Sequence, residues 1–102
     1  MSIEKVYVGS ELKYKITITA SGFDMATDEF EVDLVCGKVT THLDKTDLIL
    51  SEGSYYIPID TSLYPRGGDL FVITTAHIPD PDFDDNVRDE IDKQQILKIN
   101  KL

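Results

Sequence analysis

The chain has 102 residues, enough for one domain around one core, residues 1–102. Hydrophobic residues make up 41% and charged residues 28%, ordinary values that exclude a wholly disordered chain. Acids outnumber bases by 19 to 10 and the bases are scattered singly, so no basic stripe exists to displace counterions from nucleic acid or to hold an anionic membrane.

The opening Met1-Ser2-Ile3-Glu4-Lys5 carries no apolar stretch of the secretory-leader kind, and no run approaches the ~20 apolar residues of a membrane-spanning helix. The expected address is the cytoplasm of the producing cell, which is also where a particle released by lysis would be assembled. Cys36 is the single cysteine and has no partner for an intramolecular disulfide.

Along the chain, Leu12, Tyr14, Ile16 and Ile18 alternate with Lys13, Lys15, Thr17 and Thr19. A period of two predicts a half-buried strand over residues 11–19. Phe30, Val32, Leu34 and Cys36 alternate with acids and predict a second, with Cys36 on its apolar face. Gly37-Lys38 predicts a tight turn into a shorter strand over 39–43, and Leu48 to Leu50 another. Tyr55 to Ile59 is β-rich, but Pro58 demotes it to an edge or a strand end. Tyr64-Pro65-Arg66-Gly67-Gly68 is a loop, and Leu70 to Ile78 has the apolar content of a central strand. Residues 79–86 are too rich in Pro and Asp for regular structure, and a last strand is expected over 92–99, preceded by a turn. About seven or eight short strands, with turn signals every 8–12 residues or so, predict an all-β sandwich.

Catalytic signatures are missing from the sequence. There is no Gly-x-Ser-x-Gly elbow, no phosphate loop and no His-Glu-x-x-His, and Gly67-Gly68 precedes a strand rather than a helix. Cys36 is expected to be a small core hydrophobe. His42, at a strand end, and His77, on another strand, are expected to be unlinked surface histidines rather than metal ligands. The chain is therefore expected to be no enzyme, with no cofactor, resident metal or small-molecule substrate.

Two clusters remain as candidate partner contacts. Asp80, Asp82, Asp84, Asp85, Asp89, Glu90 and Asp92 surround Arg88. Asp80-x-Asp82-x-Asp84 copies the first half of a calcium loop, but Asp85 stands where such a loop needs Gly and Ile91 where it needs Glu. Phe83, set among the acids Asp82, Asp84 and Asp85, either folds back or inserts into a partner. The second cluster is Tyr55, Tyr56, Tyr64 and Arg66, residue types enriched at protein interfaces.

The segments Gly9-Ser10-Glu11-Leu12-Lys13-Tyr14-Lys15-Ile16, Ser51-Glu52-Gly53-Ser54-Tyr55-Tyr56-Ile57-Pro58-Ile59-Asp60-Thr61 and Asp69-Leu70-Phe71-Val72-Ile73-Thr74-Thr75-Ala76-His77-Ile78-Pro79-Asp80 follow one another along the chain. Their order resembles the small immunoglobulin-like structural proteins of Bacteroidetes phages and prophages, including crAss-like phages. It is similar, more loosely, to immunoglobulin-like domains of phage baseplates. The resemblance implies an immunoglobulin-like sandwich of antiparallel strands, located in the virion. A head auxiliary protein bound to the major capsid protein or other virion proteins is the expected role. The rival expectations are a tail or baseplate module, and a calcium- or carbohydrate-binding envelope module, the latter disfavoured by the absence of Trp.

Overall fold

The computed structural model describes residues 3–102. Among the described residues eight strands form: β1 (Glu4–Tyr7), β2 (Glu11–Ile16), β3 (Phe30–Cys36), β4 (Val39–Asp44), β5 (Ile49–Ser51), β6 (Ser54–Asp60), β7 (Gly68–Pro79) and β8 (Val87–Asn100). Among the described residues the helical pieces are two short 3-10 turns, Lys45–Asp47 and Thr61–Leu63. The strands make a five-stranded sheet, ordered β1-β8-β7-β3-β4, and a three-stranded sheet, ordered β2-β6-β5. The architecture is the all-β sandwich expected from the sequence.

The alternation in the sequence is what builds it. On β3, Phe30, Val32, Leu34 and Cys36 are buried while the residues between them are half-exposed. β7 repeats the pattern with Leu70, Val72, Thr74, Ala76 and Ile78 inward. The three-stranded sheet contributes Ile16, Ile57 and Ile59 to the same core, which Leu97 and Ile99 of β8 complete. Each such side chain, fully buried, contributes about 1.5–3 kcal/mol. Phe30 closes one end of the core, edge-on to Phe23 and to Tyr55. At the β3–β4 turn, Gly37 takes a φ of +60°, which a side chain would resist.

β2 stops at Ile16 rather than at residue 19, and three further details depart from the sequence expectations. First, not all the strands are antiparallel: β1 runs parallel to β8, pairing Glu4 with Leu97 through Tyr7 with Asn100. No hairpin joins these two strands, so nothing requires them to run in opposite directions. Second, Pro58 lies in β6, the central strand of its sheet. It is tolerated because β5 pairs only as far as Tyr56, leaving Pro58 opposite Lys13 of β2 alone. Third, β8 begins at Val87 rather than Asp92 and pairs with β7 along its length, with an irregularity between Leu70 and Phe71. Its first half escapes a burial pattern because Arg88, Glu90, Asp92 and Gln94 share the inward side of the strand yet none is buried.

Candidate functional site

The outer face of the five-stranded sheet carries the densest chemistry. Register places His42 of β4 opposite Asp33 of β3, and Asp44 opposite Glu31. Because side chains alternate, these four lie on one face as a square of two cross-strand pairs. One strand further on, register places His77 of β7 opposite Asp89 of β8.

These residues connect. His77 Nδ1 lies 2.7 Å from Asp89 Oδ1, and its Nε2 lies 2.7 Å from Glu31 Oε2. A neutral imidazole has one N–H, so two carboxylate neighbours favour the doubly protonated ring. The bonds to Asp89 and then Glu31 raise its pKa, against a smaller opposing effect of burial. His42 Nδ1 lies 2.7 Å from Asp33 Oδ1. Its Nε2 lies 3.2 Å from Glu31 Oε1 and 3.3 Å from Asp44 Oδ1. The bond to Asp33 is the main cause of its raised pKa. The two histidines are therefore not the unlinked surface residues expected: Glu31 lies between them, one oxygen toward each ring. His42 also lies inside β4 rather than at its end. Among the described residues, Glu31, His42 and Asp44 are the group whose ligand atoms converge, all within 4.8 Å of one another.

Beside this polar corner the same face turns apolar. Val35 and Phe71 are opposite each other, and the Lys93 ammonium lies 4.7 Å from the Phe71 ring centre. Ile91 is 71% exposed. The sheet then ends at an open edge. β1 covers β8 only from Leu97 to Asn100, and among the described residues no strand pairs with the outer side of β8 over 87–96. That edge is roughly 30 Å long at the usual rise per residue.

The candidate contacts from the sequence fall in separate places. Tyr64 is not a surface contact: it is 2% exposed, packed in the core, with its hydroxyl 2.9 Å from Thr41 Oγ1. The 3-10 turn before it, started by Asp60 accepting from the Ser62 N–H, directs the ring inward. Arg66 is exposed and borders an apolar hollow of about 460 Å³ that Cys36, Val39, Tyr64 and Pro65 also line. Tyr56 is half-buried, with the Lys13 ammonium 5.7 Å from its ring centre. Asp82, Phe83, Asp84 and Asp85 are exposed in the β7–β8 hairpin loop, with Phe83 at 50%. Arg66 and this loop flank opposite ends of β7, a strand of 12 residues, so the two clusters are not one surface.

Part of the loop's charge is engaged by donors of the chain itself. Asp80 accepts from the Asp82 N–H through one oxygen and from Arg88 Nε, at 3.0 Å, through the other. Arg88 also donates to Glu90 and to the Ser21 carbonyl. Cys36 is buried as expected, and burial, then Asp69, pushes its thiol pKa up. Comparison of the chain with protein-family models, curated proteins and solved structures finds no match.

Proposed function

We propose that the chain is a virion structural protein of a bacteriophage, an immunoglobulin-like module seated on the outer capsid surface as a head auxiliary protein. The observation that carries a binding role is the open outer edge of β8 over 87–96. An unpaired edge offers backbone donors and acceptors to an extended segment of a partner, and alternate side chains supply the selectivity. Here the flanking side chains are Val87 and Ile91, both exposed, with Asp89 and Lys93 between and beyond them. The charges oppose indiscriminate pairing and favour a partner strand of complementary charge. The sequence resemblance supplies the phage context. The net charge of −9 favours a position away from packaged DNA. In this reading the protein performs no catalysis, and many copies on a symmetric lattice add weak contacts into firm attachment.

Peptide mass spectrometry of purified particles, quantified against the major capsid protein, tests the placement. A ratio near the capsid copy number is expected. A ratio lower by an order of magnitude or more would move the protein to the tail or baseplate, and absence from the particle would end the structural reading.

A further inference from the structure

We infer that the β3–β4 corner of the outer sheet face is a site for a first-row divalent transition ion of the Zn²⁺ type, held by His42 Nε2, Glu31 Oε1 and Asp44 Oδ1. The inference is independent of the phage reading.

Donor spacing comes first. Nε2 lies 3.2 Å from the Glu31 oxygen and 3.3 Å from the Asp44 oxygen. A tetrahedral ion with bonds of about 2.0–2.1 Å keeps its donors about 3.3–3.4 Å apart. Two of the three donor separations thus match a tetrahedral ion, and all three donors lie within 4.8 Å of one another.

Direction comes second. Asp33 lies 2.7 Å from His42 Nδ1, so in the neutral ring that nitrogen carries the proton and the lone pair is on Nε2. Of the four ring nitrogens in the two histidines, Nε2 of His42 has the longest carboxylate distances, 3.2 and 3.3 Å; the other three each meet a carboxylate at 2.7 Å. It lies nearly equidistant from the Glu31 and Asp44 carboxylates. In the neutral ring that lone pair faces two carboxylates that repel it, and a bound ion takes the place of the proton that otherwise lies between them.

Support around the donors comes third. Metal-bound histidines usually donate their other N–H to a carboxylate, and ligating carboxylates are themselves hydrogen-bonded. Asp33 does the first for His42. His77 does the second for Glu31, binding the oxygen that the ion would not use, and Asp89 steadies His77 in turn. One imidazole with two carboxylates suits Zn²⁺ and its neighbours, whereas Ca²⁺ and Mg²⁺ require a fuller set of oxygens. The fourth position faces solvent, since the His42 side chain is 51% exposed.

Titration of ZnCl₂ into the full chain at neutral pH, followed by calorimetry and by imidazole ¹⁵N shifts, tests the site. One ion per chain is expected, with the His42 Nε2 resonance moving most. His42→Ala should weaken binding at least tenfold, and Asp33→Asn about tenfold, the usual effect of losing an orienting partner. The double variant Asp82→Asn, Asp84→Asn in the hairpin loop should leave it unchanged. Both His42 and Asp33 are on the solvent side of the sheet, and circular dichroism checks that each variant is folded. Absence of saturable binding, binding that survives His42→Ala, or equal binding of CaCl₂ would each overturn the inference.

Discussion

His77 and Glu31, 46 positions apart, meet with Nε2 2.7 Å from Oε2 and so tie β7 to β3 across the solvent face of the sheet. With Asp89 on the other ring nitrogen, the contact raises the pKa of His77 in the folded chain. A raised histidine stabilises the fold fully below its ordinary pKa of about 6.5 and loses that contribution as pH rises through the folded-state value. His42 is raised in the same direction. In chelator-treated protein, the urea midpoint should therefore fall as pH rises from about 6.5. His77→Gln should flatten that slope. Parallel curves for the two proteins would show that the histidine adds nothing to stability.

Gly67 and Gly37 both have positive φ, +67° and +60°, but different surroundings. A Cβ on Gly67 would lie 2.6 Å from the backbone oxygen of Ile99, while one on Gly37 meets nothing within 4 Å. Gly37→Ala should cost about 1–2 kcal/mol, the left-handed penalty alone. Gly67→Ala should cost about 3 kcal/mol or more, because the clash with a backbone atom adds to that penalty. Urea unfolding of the two variants measures the difference.

Thr61 is fully buried, and its hydroxyl joins the β1–β2 turn to the end of β6. Oγ1 accepts from the Gly9 N–H at 3.0 Å and donates toward the Ser10 carbonyl at 2.7 Å. Thr61→Val keeps the shape and removes the partner, so it should cost about 1–3 kcal/mol. Thr61→Ser should retain most of the stability. Equal midpoints for the valine and serine variants would contradict the assignment of the hydroxyl as a tie.

The core was legible because its strands obey a period of two: Phe30 to Cys36 and Leu70 to Ile78 fall where their alternation predicts. The first half of β8 was not, because its inward side carries Arg88, Glu90, Asp92 and Gln94 rather than apolar groups. Tyr64 was misplaced on the surface. The short turn started by Asp60 and Ser62 directs it inward, and that Asp-x-Ser spacing was the available signal. The histidine–carboxylate corner could not be read from spacing along the chain. It depends on cross-strand register, which sets His42 against Asp33 and His77 against Asp89.

Amide hydrogen exchange of the chain, free and bound to isolated capsids, tests the proposed binding edge most directly. In the free protein, amides on the outer side of β8 over 87–96 should exchange fast, while those paired to β7 are protected. On capsids the same outer amides should slow by at least tenfold, with Val87 and Ile91 inside the protected stretch. Unchanged exchange along β8, with new protection on the three-stranded sheet or around Arg66, would contradict a partner seated on this edge.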